Sequence, residues 1–366
     1  MRPIYRINLK ILKENYNEFI KFGKVYFPVK TNHNKYILKT LKKLGAGFEC
    51  DSIDHIKKIY SRKNAGEIIY SNVAKTKQDI EWAIKRKINF FTVDDEETLK
   101  YIIKLAKKYK FKNLKINVRI NVYDMFRKEF EAKNTQDSRL GASVNTCKKL
   151  LDIINQEKDI NISKGISFYV QAEVHDKEDI LIVVSKYLAQ HFSKEDSIDW
   201  INIGGGSSVK RLQKSKEEMF KNLSFLNVNK IILEPGRFMV DKVEDVIIPI
   251  NRIIKTDLNG GEYVVSMAIG LYHGLFDYKL HNRRFNFYVK NDKEEIPLEV
   301  YDGKGEKIVL RGPTADSSDL LGIYKMPDCK IDENSTILAK NIGAYVEVFH
   351  SDFSGKVPLE YEIVEE

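Results

Sequence analysis

Cysteine is scarce in this sequence. The 366 residues hold three, Cys50, Cys147 and Cys329, set far apart. An odd count with no metal-ligand spacing argues against a disulfide framework and against a bound metal, and it favours a reducing compartment. Long apolar runs are missing as well. No stretch approaches the roughly 20 residues that a membrane-spanning helix requires. Met1-Arg2-Pro3 leads straight into a mixed segment, so no signal peptide is expected. The expectation is a cytoplasmic protein that does not enter a membrane. Internal repeats and low-complexity linkers are also absent. The glycines do not fall in the GxGxxG spacing of a dinucleotide fold.

Hydrophobic residues make up 43% of the chain, enough for a large core, and charged residues 31%. The net charge is +9 and the pI about 9.0. A basic balance raises the question of nucleic acid. Here, however, the lysines are interleaved with glutamate and aspartate. The densest run, Lys104 to Lys112, falls on an amphipathic helical pattern and reads as a solvated face, so no nucleic-acid partner is expected.

From Lys24 to about Leu233, short apolar runs alternate with helical stretches. Strands are expected at Val25–Lys30, Ile68–Ser71, Ile88–Val93, Leu114–Arg119, Gly165–Val170, Trp200–Ile203 and Lys230–Leu233, with a weaker one near Gly47–Glu49. Between them, Ile37, Leu38, Leu41 and Leu44 recur at helical spacing, as do Leu99, Ile102, Ile103 and Leu105. Asp94 or Asp95 supplies a cap before the second set. Eight strand–helix units predict a parallel sheet closed as a (β/α)8 barrel of the TIM type. After Arg237 the texture changes. Val243–Lys255, Tyr263–Ala268, Phe285–Lys290, Lys307–Leu310 and Val346–Phe349 read as strands. Turns are expected at Asn259-Gly260-Gly261 and Asp302-Gly303-Lys304-Gly305. The expected domains are 1–23, leading into the barrel; 24–239, the barrel; and 240–366, an antiparallel β domain.

Three segments carry chemistry. Lys30 ends the strand Tyr26-Phe27-Pro28-Val29-Lys30, and the C-terminal end of a barrel strand is where barrel active sites form. An amine there can lose its proton and act as a nucleophile; the alternative is one more surface lysine. Gly204-Gly205-Gly206 follows the strand ending in Asn202-Ile203. Such a loop can close its backbone N–H groups on a phosphate, or can be a plain turn. Glu234-Pro235-Gly236-Arg237 follows another strand. Its carboxylate suits a protonated pyridine nitrogen and its arginine a phosphate, unless the two simply pair at a domain junction.

In this order the three segments resemble the ornithine, arginine and diaminopimelate decarboxylases, a family of pyridoxal-phosphate enzymes built as a barrel plus a β domain. The resemblance runs from Pro3-Ile4-Tyr5 to Phe353-Ser354-Gly355. It implies that Lys30 holds pyridoxal 5′-phosphate and that Glu49 lies near the lysine–cofactor linkage. It places Arg119 beneath the cofactor, gives Gly204, Gly205, Gly206, Gly236 and Arg237 to the phosphate, and sets Glu234 at the ring nitrogen. Tyr345 would bind phosphate from the β domain. The active unit would be a homodimer with shared sites. Asp316 would act catalytically from across the interface, and Arg139 would pair with Asp319 of the other subunit.

The departures from the family pattern also matter. Phe168-Tyr169-Val170-Gln171-Ala172-Glu173 stands where the family carries a stacking histidine and a phosphate-binding serine. Tyr169 can still stack on a ring. Ala172 forfeits a hydrogen bond worth about 1–2 kcal/mol. Glu173 adds a carboxylate on the substrate side, as in carboxynorspermidine decarboxylases. Ala315 replaces the cysteine implicated in returning a proton to the carbanion. His281 stands where diamine-forming members carry an aspartate for the distal amine. The expected activity is therefore decarboxylation of an amino acid, or of a substrate bearing a carboxy-aminopropyl group, contacted by Glu173, His281, Ala315 and Asp316. The alternatives are a racemase or decarboxylating transaminase of the same fold, or a catalytically dead regulatory paralogue.

Overall fold

The structure is a computed structural model. It describes residues 1–122, 140–169, 179–226, 228, 230–257, 262–280, 283–291, 294–332 and 334–365. The chain divides into two compact units. One comprises Met1–Glu14, Thr31–Ile37 and Met239–Glu366; the other comprises Asn15–Lys30 and Leu38–Phe238. The segment 1–23, expected to lead into the barrel, is thus split between them.

The chain opens with strand β1 (Ile4–Asn8) and helix α1 (Leu9–Phe19). Eight strands then build the second unit: β2 (Lys24–Pro28), β3 (Gly47–Cys50), β4 (Ile68–Tyr70), β5 (Phe90–Val93), β6 (Asn113–Arg119), β7 (Asn161–Ser167), β8 (Trp200–Asn202) and β9 (Ile231–Leu233). They pair in parallel in chain order. Lys24 opposite Ile232 and Val25 opposite Leu233 close the barrel. This is the architecture expected from eight apolar runs.

The intervening helices start where the sequence supplies caps. Ser52, Thr76, Asp95, Ser143, Asp179 and Ser208 each accept a backbone N–H from the first helical turn. Of the two aspartates expected to cap Glu96–Lys108, Asp95 does so, at 2.8 Å from the Thr98 N–H. Asp94 instead accepts from the Gly141 N–H at 2.9 Å. Leu99, Ile102, Ile103 and Leu105 of that helix are buried. Each fully buried side chain of this size contributes about 1.5–3 kcal/mol. Lys104, Lys107 and Lys108 lie on its exposed face.

The other unit is a nine-stranded sheet. Its strands are β1, β10 (Glu244–Thr256), β11 (Glu262–Met267), β12 (Asn286–Lys290), β13 (Glu295–Pro297), β14 (Lys307–Arg311), β15 (Leu320–Lys325), β16 (Thr336–Lys340) and β17 (Glu360–Val364). Most pairings are antiparallel, as expected. Two are parallel, β11 with β14 and β1 with β17. Val246, Ile248, Val265, Phe287, Leu310 and Ile337 are among the residues of its core. One expected strand is absent. Glu347–Phe349 is a single 3-10 turn. Tyr345 just before it sits at φ +59, and its ring stacks on Phe349. That left-handed residue reverses the chain and prevents an extended run. The turn at Asp302–Gly305 forms with both glycines at positive φ. The turn expected at 259–261 lies outside the described residues.

Candidate functional site

The candidate site gathers at the C-terminal ends of the barrel strands. Lys30 follows β2 by two residues, and its side chain is half exposed. Its Nζ lies 3.6 Å from Glu49 Oε1 and 3.8 Å from Asp51 Oδ2. Glu49 is on β3, the neighbour of β2, in register opposite Pro28. It is buried, takes a hydrogen bond from the Ser71 hydroxyl, and leaves Oε2 with no partner. Asp51 is braced from behind, because its Oδ1 lies 2.7 Å from His55 Nδ1 one helical turn on. Burial pushes the Asp51 carboxyl up. The His55 hydrogen bond and the Lys30 charge outweigh that and leave it below the usual aspartate range.

The glycine loop follows β8. Gly204 at φ +63 and Gly206 at φ +82 occupy the left-handed region. A Cβ on Gly204 would sit 2.5 Å from the Phe168 carbonyl oxygen, and one on Gly205 2.8 Å from the Glu234 carbonyl oxygen. The Gly204 N–H is tied to Asn202 Oδ1 at 2.9 Å. The loop runs through Ser207 into the helix capped by Ser208, Val209–Leu223. Backbone amides opened by glycine beside a helix N-terminus suit an anion.

Glu234 follows β9. Its Oε1 accepts from Asn202 Nδ2 at 2.7 Å. Burial, reinforced by the nearby Glu49 charge, pushes its carboxyl up to about 7, against the pull of Asn202, Lys30 and Arg119. A buried acid in this state gains from a cationic N–H partner. Arg119 stands half-buried at the end of β6, and Arg237 opens the short helix Arg237–Val240. Tyr169 is 46% exposed, with its ring edge 4.0 Å from the Cβ position of Gly205. The barrel therefore brings Lys30, Glu49, Glu234, Arg119, the glycine loop and Tyr169 to one end. An amine set between two carboxylates, an amide-rich loop and a desolvated acid suit a phosphorylated pyridine aldehyde.

The sheet unit holds Tyr345, Ala315, Asp316 and Asp319. Tyr345 donates its N–H to Thr31 O at 2.9 Å. Thr31 Oγ1 lies 3.4 Å from its hydroxyl. Ala315 is exposed at the tip of the 312–319 loop. Arg311 supports this loop by donating to Thr314 O at 2.6 Å and Asp316 O at 3.4 Å. Hydrogen bonds from Ser318 hold Asp316 below the usual carboxylate range. Asp319 is buried. It accepts from the Leu271 N–H at 2.7 Å and from the Thr314 hydroxyl at 2.8 Å, so within its own subunit it anchors this loop. Arg139, Ala172, Glu173 and His281 lie outside the described residues.

Sequence reasoning missed four contributors. Asp51 and His55 join Lys30 and Glu49 from the turn and helix that follow β3, and Ser71 from the end of β4 through its pairing with β3. Lys75 lies on the loop after β4. Burial brings its amine down to about 7, and it donates to Asn72 O and, at 2.6 Å, to Thr92 O. The one available signal was the clustering of Glu49, Asp51 and His55 just past a strand end. Among the described residues no group of His, Cys, Asp and Glu could hold a metal, and no helix is long and apolar enough to cross a membrane.

Comparison with known proteins gives the family. Residues 9–241 match the family model described as "Pyridoxal-dependent decarboxylase, pyridoxal binding domain". A diaminopimelate decarboxylase of Aquifex aeolicus is 24% identical over 361 residues, covering 94% of this chain and 82% of that protein. An ornithine decarboxylase of Candida albicans is 26% identical over 372 residues, covering 90% and 75%. Among solved structures, a Paramecium bursaria Chlorella virus arginine decarboxylase bound to agmatine superimposes with a TM-score of 0.78 at 19% identity, covering 100% of this chain and 96% of that one. A Helicobacter pylori diaminopimelate decarboxylase in complex with L-lysine gives 0.79 at 20% identity, covering 100% and 92%. The chain belongs to the pyridoxal-dependent decarboxylases, enzymes that use pyridoxal phosphate to remove carboxylate from amino acids of the ornithine, arginine, lysine and diaminopimelate type.

Proposed function

We propose that Lys30 is the cofactor lysine and that the substrate is an amino acid whose distal end is not a simple ammonium group. The observation that carries the first part is the position of the Lys30 amine at the barrel mouth, 3.6 Å from Glu49 and 3.8 Å from Asp51. Two carboxylates fix the direction of the amine, and Ser71 and His55 fix the carboxylates. The cofactor these residues would hold would supply an electron sink for the carbanion that decarboxylation leaves at Cα. The chain's own residues do the rest. Glu234 holds a proton at the ring nitrogen, because its buried charge is compensated only when an N–H⁺ faces it. The glycine loop, through the amides of Gly205 and Gly206 because that of Gly204 is held by Asn202, would bind phosphate with Gly236, Arg237 and Tyr345, and Tyr169 would offer its ring to the cofactor. Arg119, at the end of β6, would contact the cofactor as well. Asp316 would serve the site of the partner subunit in a homodimer; Asp319, buried with both oxygens engaged in its own subunit, is not placed to meet Arg139 of a partner.

The second part rests on the substrate side. Ala315 has no proton to give, so the proton that returns to Cα comes from another group. Its methyl also leaves room beside the reacting carbon. A buried ammonium without a carboxylate partner costs several kcal/mol. With His281 in place of an aspartate, Asp316 and Glu173 are the acids left for it. An imidazole at that position suits an acidic or polar distal group better than an ammonium. The test is a panel of ornithine, lysine, arginine and diaminopimelate with saturating cofactor, scored by CO₂ release and product identity. Turnover of ornithine or lysine with kcat/KM above roughly 10⁴ M⁻¹s⁻¹, the lower end for ordinary enzymes, overturns the proposal.

A further inference from the structure

The opposite end of the barrel holds a second cavity, of about 500 Å³. Lys24 begins the strand that leads to Lys30, six residues further on, so the two ends lie about 20 Å apart along β2. The N-terminal end of a barrel of this class normally serves stability alone. Here its floor is a layer of flat rings. Tyr26 meets Phe90 edge-on at 5.8 Å, and Phe90 meets Trp200 at 5.3 Å.

Two glycines let those rings lie across the barrel. A Cβ on Gly47 would sit 2.4 Å from the Tyr26 ring, and one on Gly165 2.2 Å from the Trp200 indole. The indole N–H turns inward, donating to Asn117 Oδ1 at 2.7 Å. The polar edge of Trp200 is thus satisfied inside the barrel.

The rim is cationic. Lys21, Lys24, Lys115 and Lys230 line the cavity, against one acid, Asp199. Lys21 pairs with Glu18, and Lys24 lies 3.1 Å from Glu67. Asp199 Oδ2 is engaged by the Lys164 N–H at 2.8 Å. Among the described residues, no carboxylate lies within ion-pair distance of Lys115 or Lys230. Lys115 reaches over the Phe90 ring, 5.6 Å from its centre, with only the Gly66 carbonyl near it at 3.4 Å. Two uncompensated ammonium groups above a low-dielectric aromatic floor focus positive potential into the cavity.

We propose that this cavity is a second ligand site, for a small molecule with a flat apolar body and one or two anionic groups. The body fills the cavity against the edges of the buried Tyr26, Phe90 and Trp200 rings that line it, and the anion meets Lys115 and Lys230. The site is independent of Lys30 and its cofactor.

The probe is anilinonaphthalene sulfonate, titrated into the cofactor-loaded enzyme so that the site at Lys30 is filled. The chain has two tryptophans, so Trp82→Phe leaves Trp200 as the single emitter. In that variant, saturable binding of one probe per chain quenches the Trp200 emission. Lys115→Met with Lys230→Met weakens binding by roughly ten-fold, as for two lost charge contacts. The same exchange at the exposed Lys77 and Lys100 leaves it unchanged. The neutral analogue phenylnaphthylamine binds more weakly than the sulfonate. Non-saturable binding, an undisturbed Trp200 emission, or equal affinity in the Lys115/Lys230 variant overturns the proposal.

Discussion

Replacing Gly204 with alanine isolates what the glycine loop does. Gly204 sits at φ +63, where an L side chain costs about 1–2 kcal/mol. The new methyl would lie 2.5 Å from the Phe168 carbonyl oxygen. An ordinary C···O contact is about 3.3 Å, so the loop must withdraw by roughly 0.8 Å. That shift breaks or stretches at least one amide contact to a phosphate. A hydrogen bond to a charged group is worth about 1.5–3 kcal/mol, equivalent to a roughly 10- to 150-fold loss of affinity. The assay titrates apoenzyme with pyridoxal phosphate and, separately, with pyridoxal, following the absorbance of the bound form. Gly204→Ala should weaken pyridoxal phosphate by that factor and pyridoxal far less. Gly303→Ala provides the control. It imposes the same kind of backbone strain at φ +93, in an open turn with nothing within 4 Å, and should leave both affinities alone. Equal weakening of the two ligands by Gly204→Ala would refute the phosphate assignment.

Three further outcomes are expected. Borohydride reduction of the loaded enzyme followed by peptide mapping should place the pyridoxyl label on Lys30; a label on Lys75, whose amine burial brings down to about 7, rejects the assignment. Glu234, raised from 4.5 to about 7 in the folded apoenzyme, binds its proton more tightly there than in the unfolded chain. Its contribution to stability is therefore complete below about 4.5 and fades as pH rises to about 7, by up to ~3 kcal/mol. Glu234→Gln should flatten that slope in urea melts, and an unchanged slope contradicts it. Mixing inactive Lys30→Ala with inactive Asp316→Ala subunits should restore partial activity, and no recovery after verified subunit exchange counts against shared sites.

Much of this protein was legible along the chain. Eight apolar runs separated by capped amphipathic helices specify a closed parallel barrel, because strand period, helix period and cap chemistry are local properties. Lys30, Gly204–Gly206 and Glu234 stood out because each ends a strand, and in a barrel every strand end faces the same mouth. What required the tertiary structure depends on which elements become neighbours. Ile4 pairs with Glu360, and no local pattern records a contact across almost the whole chain. Ser71 reaches Glu49 only through the register of β3 with β4, Cys50 opposite Tyr70, and Glu49 reaches Lys30 only through that of β2 with β3. The low amine of Lys75 is a consequence of burial, which the sequence does not encode at a single position. Tyr345 reverses the chain before Glu347–Phe349 although its neighbours are strand formers, because a left-handed residue overrides propensity. The basic cavity exists because Tyr26 leans over Gly47 and Trp200 over Gly165. Periodicity tells a side chain which face to take, but only the packed barrel decides what lies opposite it.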